Sequence, residues 1–311
     1  MRVFVAGASG AVGRPLVPML VAAGHEVTGS TRSQHRAETI RAGGAEAAVV
    51  DALDAGALRR AVSDAAPEVV VHELTALPDR FDPRDPDIYA ATNRLRSDGT
   101  RNLVAAARAA GARRFVCQSI AFAYAPGPLP EVKDEDAPLN LSAPPPFGEG
   151  VRVIEEMERS VLRSEGFDGL VLRYGWFYGP GTYYGEDGHT AREVRKRRFP
   201  VIGRGAGLFS FIHVDDAAAA TVAAVERGAA GVYNIVDDEP AAMRDWLPVY
   251  ARAIGAGRPL RIPVWLARLA AGPMAAAINV QPGASNAKAK RELGWQPRWP
   301  SWREGFAAAP R

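Results

Sequence analysis

Among 311 residues there is a single cysteine, Cys117. An intramolecular disulfide and a cysteine-cluster metal site are therefore excluded. Histidine is also sparse, with five scattered copies and no His-Glu-x-x-His run, so a zinc hydrolase is poorly supported and no metal is expected. Lysine occurs four times, at Lys133, Lys196, Lys288 and Lys290, against 34 arginines. No sign of charge dominates: the formal net charge is +3, too mild to argue for nucleic acid. Long apolar runs are missing. The run at 3–6 stops at a glycine turn and is too short for a signal peptide. The longest uncharged stretch, 269–287, is broken by Gly272, Pro273, Asn279, Gln281 and Pro282, so it does not read as a membrane span. A soluble, cytoplasmic protein without membrane contact is expected.

What is present is a globular composition, 47% apolar and 23% charged. The length corresponds to about two domain-equivalents. Short β-rich runs at 2–6, 26–30, 46–50, 68–72 and 113–118 alternate with Ala-rich helical segments near 11–23, 34–42, 54–65 and 86–110. This alternation predicts a parallel sheet with right-handed crossovers. Val3-Phe4-Val5-Ala6 and Val69-Val70-Val71 are continuously apolar, as expected of strands covered on both faces. Residues 125–146, rich in proline and acids, read as a long loop. A helix is predicted at 148–165 and a strand at 168–173. Glycine and aromatics dominate 174–188, and a basic helix covers 189–198. A strand (209–212), a helix (215–227) and a strand (232–236) return to the sheet, and 240–311 is helical and punctuated by proline.

The first strand runs directly into Gly7-Ala8-Ser9-Gly10-Ala11-Val12-Gly13 and then a helix. Gly7 permits the tight turn, Gly10 a close backbone approach to a pyrophosphate, and Gly13 close helix–strand packing. The helix N-terminus then presents free N–H groups to phosphate. A GxxGxxG string alone is weak, but its place inside a βαβ unit points to a dinucleotide. At the end of the second strand, Gly29-Ser30-Thr31-Arg32-Ser33 has no acid for a ribose hydroxyl. Arg32, with Ser33 and Arg36 nearby, suits a 2′-phosphate, so NADP(H) is favoured over NAD(H). Asp51 serves either the adenine amino group or a helix cap.

GASGAVG at 7–13, VVDALD at 49–54, VVVHELTAL at 69–77 and NRLRSDGTRNLVAAARAAG at 93–111 resemble the extended short-chain dehydrogenase/reductase superfamily. The likeness is greatest to its NAD-dependent epimerase/dehydratase branch. LVLRYGWFYGPGT at 170–182, SFIHVDDAA at 210–218, YNIVDDEP at 233–240 and NAKAKRELGW at 286–295 continue the match in order. The resemblance implies an α/β fold, a doubly wound Rossmann sheet of about seven parallel strands with a smaller C-terminal substrate domain. The nucleotide domain would span 1–173 with 213–236 returning to the sheet; 174–212 and 237–311 would form the substrate domain. A homodimer through the helices near 86–110 and 148–165 is implied as well. Cofactor contacts carried over are Gly7, Ser9, Gly10, Ala11, Val12 and Gly13 in the loop, and Thr31, Arg32 and Ser33 after the second strand. Asp51 and Ala52, then Leu74 and Thr75, then Gln118 and Tyr174 complete them.

The family's catalytic pair is a Tyr-x-x-x-Lys on a helix, in which the lysine lowers the tyrosine pKa. The corresponding helix here reads PFGEGVRVIEEMERS at 146–160, with Phe147 at the tyrosine position and Val151 at the lysine position. None of the eight tyrosines has a lysine four residues later. Ser119, at the end of the fifth strand, is the candidate for the family hydroxyl, which falls at Ile120 if the alignment shifts by one. Tyr124 borders the expected pocket. Tyr174 replaces a common proline beside the nicotinamide, where it would donate a proton, orient the ring or pack. His72 reads as a core histidine.

Three functions stay open. The first is an atypical NADP-dependent reductase of a small-molecule carbonyl, imine or enone, such as natural-product tailoring would use. The second is a sugar-nucleotide epimerase or dehydratase, against which Phe147 and Val151 argue. The third is an NADP(H)-binding sensor, scaffold or non-redox isomerase or cyclase.

Overall fold

The computed structural model describes residues 1–82, 84–272 and 277–308. Residues 273–276, inside the uncharged stretch 269–287, and 309–311, the end of the expected substrate domain, lie outside the described residues.

Twelve strands and nine helices carry the architecture relevant here. In chain order they are β1 (Arg2–Ala6), α1 (Gly13–Ala22), β2 (Glu26–Thr31), α2 (Gln34–Ala42), β3 (Glu46–Val49), α3 (Ala55–Ala65) and β4 (Val69–His72). Next come α4 (Ala90–Arg94), a π-turn (Leu95–Gly99), α5 (Thr100–Ala109), β5 (Arg114–Ile120), β6 (Val132–Lys133) and α6 (Phe147–Leu162). Then follow β7 (Asp168–Tyr174), β8 (Trp176–Tyr178), α7 (His189–Arg195), β9 (Val201–Ile202), β10 (Leu208–Phe209) and β11 (Phe211–His213). The series ends with α8 (Val214–Glu226), β12 (Gly231–Ile235) and α9 (Met243–Ala253).

Seven strands form one parallel sheet in the order β12-β7-β5-β4-β1-β2-β3. The chain leaves β3 at one edge and re-enters as β4 on the far side of β1. That reversal opens a crevice beyond the C-terminal ends of β1 and β4, the usual ligand position in open α/β sheets. Val69, Val70 and Val71 are all buried because helices cover both faces. One face packs Leu16, Val17 and Leu20 of α1, Ile40 of α2 and Ala217, Ala220 and Ala224 of α8. The other packs Leu58 and Val62 of α3, Leu103 and Ala106 of α5 and Met157 and Val161 of α6. A third, aromatic cluster joins Tyr178, Tyr184, Phe209, Phe211, Trp246, Tyr250, Trp302 and Phe306.

The helix predicted at 86–110 differs in two respects. It begins at Ala90 and widens into the π-turn at Leu95–Gly99, which accommodates one residue beyond the α-helical repeat. The strand predicted at 209–212 does not return to the seven-stranded sheet: it breaks at Ser210, whose carbonyl accepts from Trp176 N–H at 2.8 Å and whose hydroxyl accepts from Ala284 N–H at 2.8 Å, and β11 pairs instead with β8. Among the described residues no helix is long and apolar enough to cross a membrane.

Candidate functional site

β1 ends at Ala6 and the chain turns at Gly7 with φ +92°, a conformation that L side chains rarely adopt. A Cβ at Gly13 would lie 2.3 Å from the Gly7 carbonyl oxygen, so only glycine lets α1 begin this close to the loop. α1 has no side-chain cap at its start. Arg14 N–H is already given to the Gly10 carbonyl at 3.1 Å and Pro15 has none, so it is the N–H of Gly13, with those of the loop before it, that can meet a phosphate. The loop is braced from β2, where the Ser9 and Thr31 hydroxyls lie 3.1 Å apart. The Thr31 hydroxyl also accepts from Ser33 N–H at 3.3 Å. Ser33 caps α2, accepting from Arg36 N–H at 3.4 Å.

One cleft of about 2050 Å³ runs from this loop across the ends of β4, β5 and β7. Of the cofactor contacts expected from the sequence, it brings together Ser9, Gly10, Ala11, Val12, Arg32, Thr75, Gln118 and Tyr174. Ser119, Tyr124 and Arg36 also line it. The cleft walls do not include Gly7, Gly13, Thr31, Ser33, Asp51, Ala52 or Leu74. Gly7, Gly13, Thr31 and Ser33 shape the loop and the turn after β2. The Asp51 carboxylate accepts from Leu53 N–H at 2.9 Å, the local turn of a helix-capping segment. Phe147 lines the cleft, while Val151 is fully buried behind it.

The three hydroxyls singled out as catalytic candidates are all bonded within the protein. Ser119 donates to Glu158 Oε1 at 2.6 Å. Glu158 is itself clamped by Arg173, through Nε at 2.9 Å and Nη2 at 2.6 Å. Tyr124 donates to Asn234 Oδ1 at 2.7 Å and accepts from Arg173 Nη1 at 2.9 Å. Tyr174 donates to Glu73 Oε1 at 2.8 Å and lies 2.7 Å from the Thr221 hydroxyl. Thr221 in turn donates to the Ala217 carbonyl. Burial pushes the Tyr124 and Tyr174 phenols above their ordinary range. No lysine lines the cleft to counter that rise.

Two groups at the cleft were not singled out from the sequence. Glu73 follows β4, and burial lifts its carboxyl to about 8, so it is protonated at neutral pH. Arg96 lies in the π-turn and lines the cleft while almost wholly buried. A charged residue directly after an apolar strand was the available signal for Glu73; Arg96 offered none. His72 is a satisfied core group. Its Nδ1 accepts from Leu74 N–H at 3.1 Å, which leaves Nε2–H to donate to Thr100 at 2.8 Å. Among the described residues no cluster of His, Cys, Asp or Glu could hold a metal ion.

Comparison with known proteins follows the same lines. The profile of the NAD dependent epimerase/dehydratase family matches residues 3–236. The chain is 52% identical over 309 residues to a 3-diazoavenalumate denitrifying reductase of Streptomyces sp, covering 98% of this chain and 99% of that protein. It is 31% identical over 281 residues to the 4-hydroxy-2-methyl-3-oxo-4-farnesyl-3,4-dihydroquinoline-1-oxide ketoreductase of Stigmatella aurantiaca, covering 87% and 79%. Among solved structures, UDP-glucose 4-epimerase of Thermotoga maritima with UDP-glucose superposes with a TM-score of 0.78. The identity is 22%, over 99% of this chain and 97% of that one, a likeness of fold.

Proposed function

Because the chain belongs to the NAD-dependent epimerase/dehydratase family and is a small-molecule oxidoreductase of that family, we propose that it reduces an aryl diazo compound, taken in its diazonium form, with loss of dinitrogen, using NADPH. The supporting relative is the denitrifying reductase, alike over nearly the full length of both chains. The observation that carries the proposal is the state of the hydroxyls. With Phe147 and Val151 at the dyad positions, and with Ser119, Tyr124 and Tyr174 donating to Glu158, Asn234 and Glu73, the family's lysine-activated tyrosine acid is missing, and the protonated Glu73 carboxyl at the cleft is itself engaged with Tyr174.

A carbonyl reduction needs such a proton at the new alkoxide. A diazonium carbon does not. Hydride adds to carbon, the C–N bond breaks, and its electron pair leaves on N₂: R–N₂⁺ + H⁻ → R–H + N₂. The bound nicotinamide supplies the hydride. The protein's own work is to position the acceptor carbon and to exclude water, which would otherwise compete as nucleophile. Aromatic walls suit that exclusion: Phe122 stacks on Trp176 with ring centroids 4.0 Å apart, and Tyr183 and Tyr184 also line the cleft.

NADPH rather than NADH is favoured by Arg32 and Arg36, exposed and beside the end of β2, where the sequence has no acid. The proposal takes 174–212 and 237–311 as the substrate domain and includes a homodimer through the helices near 86–110 and 148–165, tested by sedimentation equilibrium.

The test is turnover of 3-diazoavenalumate with NADPH carrying deuterium at C4. Transfer of deuterium to the former diazo carbon, with one N₂ released per NADPH oxidised, supports the proposal. A protein that oxidises no NADPH with this substrate, or that returns an alcohol from a ketone panel instead, overturns it.

A further inference from the structure

The π-turn places a guanidinium in the cleft wall with no carboxylate paired to it among the described residues. Arg96 is 6% exposed and lines the cleft. Its Nε is enclosed without a hydrogen-bond partner. Among the described residues no carboxylate pairs with it, whereas Arg173, equally buried, has Glu158 at 2.6 Å.

The titratable groups around it are neutral. His72 is held to about 4 by burial and then by Arg96 itself. Burial lifts the Tyr89 phenol to about 12 and raises the Cys117 thiol. Arg96, pushed down to about 10 by burial, stays cationic at neutral pH. A buried, unanswered cation is costly, and proteins retain one where a ligand supplies the counter-charge.

Position and surroundings narrow the ligand. The glycine loop and α1 lie on the sheet face that packs Leu16 and Leu20. Arg96 belongs to the opposite face, where its neighbour Leu95 packs and where Cys117 of β5 lies within its electrostatic reach. The phosphates of a dinucleotide on the loop are thus assigned to another part of the cleft. Tyr89 lies within the electrostatic reach of Arg96, the Phe81 ring is 6.0 Å from that of Tyr89, and both line the cleft with Phe147. A cation beside aromatic walls fits an aromatic ring bearing a carboxylate.

We propose that Arg96 is the substrate-positioning residue of the cleft and receives the carboxylate of an aromatic acid. This rests on the reductase reading for the identity of the cleft and deepens it by naming the substrate class. The competing source of an oxyanion is a phosphate of the cofactor.

The probe is cinnamate, an aromatic acid without a diazo group, against cinnamamide, its uncharged counterpart. Binding of each to the full-length protein loaded with NADP⁺ is measured by calorimetry. Cinnamate should bind roughly ten- to a hundredfold more tightly than cinnamamide, as a charge-assisted pair implies. That advantage should disappear in Arg96→Met, survive in part in Arg96→Lys, and leave NADP⁺ affinity unchanged in both. Equal affinity of the wild-type protein for acid and amide overturns the proposal and needs no variant that folds. So does an absence of cinnamate binding, or a loss in Arg96→Met that falls on NADP⁺ instead. The measurement involves no turnover, so a failure to denitrify 3-diazoavenalumate counts against the reaction and not against Arg96.

Discussion

The Tyr174 hydroxyl rests 2.8 Å from the Glu73 carboxyl, joining the end of β7 to the end of β4 across 101 residues of sequence. Burial holds that carboxyl protonated, with its pKa lifted to about 8. The folded-state value lies above the unfolded one of 4.5. The stabilisation is therefore complete below 4.5 and is lost as pH rises through about 8. Thermal melts between pH 5 and pH 9 should show falling stability, at about 1.4 kcal/mol per unit of pH while the group is titrating. Glu73→Gln keeps an acceptor for Tyr174 and should flatten that slope; an unchanged slope would place the titration elsewhere.

Removing the charge at the end of β2 should separate the two nicotinamide cofactors. Arg32→Ala is expected to weaken NADPH by roughly ten- to a hundredfold, the scale of one charge-assisted pair. NADH affinity should stay as it was, since its ribose carries no phosphate. Titration of protein fluorescence with both cofactors measures it, and an equal loss for the two would move Arg32 to the shared part of the dinucleotide.

Glu158 and Arg173 form a buried, two-pronged ion pair that also holds Ser119 and Tyr124. Glu158→Ala leaves Arg173 charged and unanswered in the interior. Denaturant unfolding should report a loss of about 3–5 kcal/mol, the usual result of removing one partner of a buried pair.

If hydride transfer expels N₂ without an enzyme acid, Ser119→Ala and Tyr124→Phe should each keep kcat within about tenfold of the wild type. Proton-transfer catalysis contributes roughly 10²–10⁴-fold. A fall of that size in kcat for either variant, with stability intact, would identify a proton donor and sink the acid-free mechanism.

The sheet and its nucleotide loop were legible because their determinants are local. Gly7, Gly10 and Gly13 lie within one turn, and the apolar runs of β1 and β4 announce two covered faces. The bonding of the hydroxyls was not legible. Ser119 meets Glu158 across 39 residues and Tyr124 meets Asn234 across 110, and no periodicity encodes such pairings. Tyr174 was recognised as unusual, but its partner Glu73 was not. Arg96 looked like one more basic residue in an Arg-rich helix, because the widened turn that buries it leaves no mark on the pattern of apolar positions.

That turn has a consequence for how the chain tolerates change. An α-helix advances about 100° per residue, so the extra residue between Leu95 and Gly99 sets α4 and α5 out of phase with each other. One rod thereby serves two angular settings: Arg96 turned to the cleft, and Leu103, Ala106 and Ala107 turned to the sheet. Deleting a single residue from 95–99 would restore a uniform helix and bring the two halves back into step. Either the sheet-facing side chains or the guanidinium would then point the wrong way. The segment can absorb many substitutions on its outer side, yet its length is fixed to the residue, as the number of teeth is fixed in a pair of meshed gears.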